Sequence, residues 1–438
     1  MTHYPINAKF TEFRLSGTEG IAADAVIVPT VKGTWLLRYG KHAYYFYNFK
    51  ERKCLLVEIG HFQIIKPGIS SFIKALKRKD TIVSRLKMMF EKFHYGFSFP
   101  EQIMLMTVPH AVTAIGNGKF LINLWSYVGY LVIDCKMRTV EYVRNDAMHE
   151  DMVYGSQQWY CHKTGDIYHM IYSLPESLGK LKNPHGDVEF QILRRNLSGD
   201  DCQEAWKGKL SDYMHDIMVS KNGKYCVACE LGMFQDSNGK TIPSKVLIVD
   251  MENKRHWILS KFIVAAHAQF DPVDADVIYF SNHNFKFIPT SIMTLLRYAT
   301  YSLKFNGPAS VFKYRLTDDG PVELGEFTDP GMFRLTNFHV FMHRGRRLLV
   351  AMGFPNLIYL ADAGDMKLIS RFEIRNSNHE NCLVGTISPS SDGEHLYVQT
   401  TKSFQIIDVE NGSQVYYQPS KFNHSAANHM QTAHDTAW

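Results

Sequence analysis

The amino-acid sequence predicts an all-β protein, a single seven-bladed β-propeller, and three observations carry that expectation. A loose phrase recurs along the chain: a polar or His-bearing start, a short apolar strand, a Gly turn, a second apolar strand, and a third ending in Asp. The strand candidates are short and rich in aromatic and β-branched residues, with Asn-Gly, Asp-Gly and Arg-Gly turns between them. Their spacing, roughly 40–60 residues per copy, suits a radial array of four-stranded sheets, because no blade can bury both of its faces alone. A β-sandwich with long loops is the competing arrangement, and the regular turns disfavour it.

The copies follow one another in chain order. One is assembled from residues 22–62, where Thr34-Trp35-Leu36-Leu37 and Ala43-Tyr44-Tyr45-Phe46-Tyr47 are strand candidates. The next starts at His110, turns at Gly116-Asn117-Gly118 and closes at Asp134. A divergent copy starts near Gln157 and turns at Thr164-Gly165-Asp166. Another runs from His215 through Asn222-Gly223-Lys224 to Asp250, and a second divergent one begins at His267. The last two start at His339, with a turn at Arg344-Gly345-Arg346, and at His379, with a turn at Asp392-Gly393.

Two segments break the phrase. Between residues 69 and 93, Phe72, Ile73, Leu76, Val83, Leu86, Met89, Phe90 and Phe93 recur at helical spacing opposite a run of Lys and Arg, which predicts an amphipathic helical insertion. A second helix is expected over about 289–303, interrupting the copy that starts at His267. Amphipathic stripes usually mark packing; a lid over the channel, or a helix meeting a membrane surface, are the functional alternatives. Residues 1–420 are thus expected to form one propeller domain, and the Asn-, His- and Ala-rich 421–438 a loosely ordered tail.

Composition excludes several classes. With 48 basic and 43 acidic residues the net charge is +5, too small an excess over 438 residues to argue for nucleic acid. Seven scattered cysteines read as reduced core thiols. Cys226 and Cys229 form a C-x-x-C, but on a strand, positions three apart face opposite sides. Neither a secretory leader nor an apolar run of about 18 residues is visible, so a cytoplasmic location is expected. There is no nucleophile elbow, phosphate-binding loop, H-E-x-x-H or zinc-spaced cysteine pair.

The chemistry-bearing signal is histidine placement. His215, His267, His339 and His379 hold the same phase of four successive copies, at the start of a first strand, and His110 shares it. First strands line a propeller's axis, so these residues are expected to converge at one end of the channel. Convergent imidazoles commonly hold a divalent transition metal; the alternative is that each ring bonds the backbone of the neighbouring blade as a spacer.

The run from His267-Ala268-Gln269-Phe270-Asp271-Pro272 to Ser281-Asn282-His283 resembles a segment of the oligogalacturonate lyases, in which a His is followed by Phe, Pro, Asp, an apolar strand and a second His. The likeness extends through Asn337-Phe338-His339-Val340-Phe341 and the copy beginning at His379, covering about the last third of the chain. It implies a propeller holding a manganese-like ion through a His of one blade and a Gln-x-x-His-x-His cluster of a later one. Here His339 would pair with Asn376, His379 and Asn381, with Asn376 in place of the Gln and Asn381 where a second His is expected. Such a metal stabilises the enolate formed when a base takes an α-proton, and β-elimination follows. His267 or His215 is the candidate base, and Arg334 or Arg297 the candidate partner of a substrate carboxylate. Separately, Tyr213-Met214-His215-Asp216-Ile217 is similar to a Met-His-Asp segment of carotenoid-cleaving oxygenases, which would imply iron held by four His, although that family's C-terminal ending is absent. The leading expectation is a metal-dependent enzyme, containing manganese or iron and lyase-like or isomerase-like, acting on a small organic substrate. The alternatives are a non-haem iron oxygenase taking an apolar substrate and a non-catalytic propeller binding protein partners.

Overall fold

The structure is a computed structural model that describes residues 2–32, 41–60, 109–124, 129–144, 152–173, 188–197, 202–210, 214–230, 242–289, 301–333, 335, 337–353, 356–375, 384–400, 403–419 and 431–433. These residues form an all-β, seven-bladed propeller of antiparallel four- and five-stranded sheets. The expected phrase is the blade itself. Its first strand is innermost, and the second, third and fourth follow outward in chain order, as in Met214–Val219, Tyr225–Glu230, Ser244–Asp250 and Arg255–Phe262.

Burial follows this order. The second strand of that blade, Tyr-Cys-Val-Ala-Cys-Glu, is buried throughout, whereas its outermost strand is mostly exposed. Buried on both faces, a middle strand loses the polar alternation and reads as a continuous apolar run. Cys226 packs toward the preceding blade beside Tyr168 and Met170, and Cys229 toward the following one beside Phe270 and Phe280. The two thiols therefore lie on opposite faces of the sheet, as the strand spacing requires.

The glycine turns join first to second strands. Gly223 and Gly393 adopt φ of +77° and +73°, where a side chain is strained. At Gly393 a Cβ would also stand 1.9 Å from the Met342 carbonyl oxygen of the preceding blade, so the turn doubles as an inter-blade contact.

Both ends of the chain close the ring. Gln431–Ala433 pairs with Ala25–Ile27 as the innermost strand of the first blade, whose other strands come from the N-terminal region. These are three residues of the segment expected to be loosely ordered; 421–430 and 434–438 lie outside the described residues. Thr2–Ile6 and Ala8–Arg14 add fifth strands to the outer edges of the second and first blades. Aromatic stacking joins the last blade to the first: Tyr47 lies 4.4 Å from Phe404 and Phe49 lies 5.5 Å from Tyr397, ring centroid to centroid. Asp24 there accepts hydrogen bonds from the Tyr397 hydroxyl at 2.8 Å and the Ser391 amide at 2.9 Å.

The helical insertions are not supported. There is no helix among the described residues, and the 69–93 segment lies outside them. The second expectation is corrected at both ends. Phe285–Pro289 and Tyr301–Phe305 form a two-stranded antiparallel ladder, with Pro289 opposite Tyr301 and Phe285 opposite Phe305. Phe285 and Phe287 against Tyr301, Leu303 and Phe305 alternate with period two, and that pattern prevails where helical spacing was expected. Residues 290–300 lie outside the described set.

Candidate functional site

The innermost strands surround a channel of about 990 Å³ whose wall includes Asp216, His267, Gln269, Asn337 and His339. Amide side chains fix the blades around it. The Gln269 amide donates to Val340 O at 3.0 Å and accepts from Val340 N at 2.8 Å, tying the fifth blade to the sixth. Asn337 donates to Thr386 Oγ1 at 2.9 Å and Gln399 to Pro29 O at 3.0 Å, linking the sixth blade to the seventh and the seventh to the first. A hydrogen-bonded amide gives both register and distance, which apolar contact does not specify.

The histidines expected at one phase do lie at or just before the start of innermost strands. His215 is the second residue of Met214–Val219, His267 directly precedes Ala268–Phe270, and His339 is the third residue of Asn337–His343. His215 and His267 meet across two blades, with ring centroids 5.1 Å apart in an edge-on arrangement. His283 continues the row, 5.8 Å from His267. His215 Nδ1 donates to the Ala266 carbonyl at 3.1 Å, a bond to neighbouring-blade backbone that meets the spacer expectation at that atom. His110 lies in the strand Pro109–Gly116, with its side chain outside the described set. His379, Asn376, Asn381, Arg334 and Arg297 all lie outside the described residues.

Asp216 is the carboxylate of the group. Its Oδ2 accepts from the Ala268 amide at 3.2 Å and stands 3.8 Å from His267 Nδ1, with both side chains about nine-tenths buried. One hydrogen bond thus holds the acid against the chain that carries the imidazole. The motif Met214-His215-Asp216 presented this acid beside a candidate His, yet the sequence reading gave it no role.

His339 differs from these. Its ring meets the backbone of Ile387 in the next blade, while its buried Nε2 has no hydrogen-bond partner among the described residues. Burial pushes its pKa down to about 4; the Ile387 bond opposes that shift, and the charge His267 would carry adds to it. The ring is therefore neutral at pH 7, with Nε2 as a lone pair.

That posture suits a metal ligand, since a ligating imidazole commonly uses its second nitrogen on backbone. Among the described residues, however, no three His, Cys, Asp or Glu stand where they would share an ion. The described donors do not make a metal centre by themselves, and no chemical step is derived through one.

No family model matches this chain, and no curated protein matches it. Solved structures similar to this chain include hydrazine synthase of Kuenenia stuttgartiensis, with a TM-score of 0.46 and 12% identity over 69% of this chain and 77% of that one. They also include Raptor of Chaetomium thermophilum, with a TM-score of 0.46 and 10% identity over 72% of this chain and 25% of that one.

Proposed function

We propose that the channel is a small-molecule site for acid/base chemistry, lyase-like or isomerase-like, with His267 as the proton-transfer group and Asp216 as the carboxylate that orients it. The carrying observation is the His267 Nδ1 to Asp216 Oδ2 approach of 3.8 Å on the channel wall. A His and a carboxylate from adjacent blades, brought together beside a cavity, is the arrangement a general base needs, and such contacts tighten when substrate binds. His267 would take a proton from a carbon α to a carboxylate or carbonyl. Delivering it to the neighbouring carbon, as the electron pair of the enediolate shifts to form a new carbonyl, completes an isomerisation; loss of a β-leaving group with its electron pair as the double bond forms completes an elimination.

A second reading adds a divalent ion, supported by the buried Nε2 of His339, which meets no hydrogen-bond partner among the described residues. It requires further donors from Asn376, His379 and Asn381.

Both readings are tested on one preparation. Small hydroxycarboxylates and ketoacids are incubated with the protein in D2O, and loss of the α-proton signal is followed by NMR. Exchange, or an ultraviolet-absorbing unsaturated product, that falls about 100-fold or more in His267→Gln is the expected result. Turnover that survives the substitution would sink the assignment. Manganese and iron are measured on the same samples and on His339→Ala with His379→Ala; near-stoichiometric metal lost in that double variant supports the ion, and none in either sample removes it.

A further inference from the structure

Val264 is a fully buried β-branched residue with φ of +65°. That region is costly for such a side chain and persists only where the surroundings over-determine it. It lies three residues before His267, in the turn that leads from the outermost strand of the fourth blade to the innermost strand of the fifth.

Two buried serines from different blades grip this turn. Ser244 Oγ, of the fourth blade, accepts from the Val264 amide at 3.0 Å and from the Ala265 amide at 3.3 Å. Ser281 Oγ, of the fifth, accepts from the His267 amide at 3.0 Å and donates to the Ala265 carbonyl. Backbone bonds complete the grip: His283 N to Val264 O at 3.1 Å and Ser281 N to His267 O at 2.9 Å. Both serines are fully buried, so each hydroxyl has no water to fall back on.

We propose that Ser281 and Ser244 are positioning residues of the channel site, holding the strained turn at Val264 so that His267 is presented to Asp216. This rests on the reading of His267 as the proton-transfer group. Without the hydroxyls the turn relaxes toward an unstrained φ, and the His267 backbone moves with it. His267 sits directly before a strand of three residues, so little regular structure resists that movement.

The test needs no substrate, and so fails or succeeds separately from the proposed activity. The protein is labelled on histidine, the His267 ring resonance is assigned by its loss in His267→Gln, and its chemical shift is measured at one pH. Ser281→Ala is expected to move that resonance, because the ring's position against the Asp216 carboxylate changes. Ser281→Thr, which keeps the hydroxyl, is expected to leave it in place.

Val264→Gly supplies the second arm, since glycine adopts this φ without strain and removes the drive to relax. Combined with Ser281→Ala it is expected to bring the His267 resonance back toward its wild-type position. If Ser281→Ala does not fold, Ser244→Ala with and without Val264→Gly gives the same reading. An unchanged resonance in a folded serine variant, or a change that Val264→Gly leaves untouched, overturns the proposal.

Discussion

Lowering the pH from 8 to 5 should cost the native state about 2 kcal/mol through His339 alone. The unfolded chain carries this imidazole at an ordinary pKa of about 6.5, whereas burial in the folded state pushes it down to about 4. A base with a depressed native pKa binds its proton more readily when unfolded, so its contribution is intact above about pH 6.5 and shrinks as pH falls. The loss is complete below about pH 4, where the shift corresponds to a ceiling of roughly 3 kcal/mol. The residue keeps part of its surface exposed although Nε2 is enclosed, so that figure is an upper bound. Buried His169 is shifted in the same direction by burial and then by Arg195, so the wild-type slope contains more than one group. The experiment is therefore a difference: urea unfolding of wild type and His339→Gln, followed by tryptophan fluorescence at several pH values between 5 and 8. The gap between the two curves should change by about 2 kcal/mol across that range, with wild type losing more on the acid side. A gap that stays constant within about 0.5 kcal/mol would show that His339 is already solvated or charged in the folded protein.

Two further outcomes follow from the inter-blade contacts. The Asp271 carboxylate is completely buried, accepting from the Tyr279 hydroxyl at 3.0 Å, Arg347 at 3.3 Å, and the Val273 and Asp274 amides at 2.9 and 3.0 Å. Asp271→Ala strands those donors and should destabilise by about 3 kcal/mol in chemical denaturation; a change under about 1 kcal/mol would mean that water replaces the carboxylate. Deleting residues 431–438 removes the innermost partner of Ala25, Val26 and Ile27. Amide hydrogen exchange across residues 25–32 should then speed up by about tenfold or more, and unchanged protection would show that the remaining strands close the ring without it.

The sequence carried the ring better than its contents, and particular residues show why. A strand signals itself through side chains that alternate or are continuously apolar, so Tyr225-Cys226-Val227-Ala228-Cys229 was readable. Gln431-Thr432-Ala433 was not, because its role is backbone pairing, for which almost any side chain serves. The N-terminal strands did carry a signal: Tyr4, Ile6, Ala8 and Phe10 alternate and pack on the first core cluster, although as outer-edge strands they announced no blade of their own. The helix expected over about 289–303 gave way at its described ends, where Phe285-Lys286-Phe287 and Tyr301-Ser302-Leu303 carry a period of two and pair as strands; residues 290–300 lie outside the described set.

The histidines mark the deeper limit. Their common phase located them near the axis, because phase within a repeat fixes where the Cα lies. It does not fix what each nitrogen meets, and that depends on the neighbouring blade's backbone. His215 spends Nδ1 on Ala266, His339 keeps Nε2 without a partner among the described residues, and His267 is approached by a carboxylate from the blade before it. Three residues equivalent in the repeat therefore occupy three chemical situations. For His267 the preceding turn is gripped by Ser244 and Ser281, neither of which belongs to a recognisable motif. In a propeller the site arises where the repeat is broken, and the buried residue with φ of +65° is where this chain departs from regular strand geometry immediately before its candidate base.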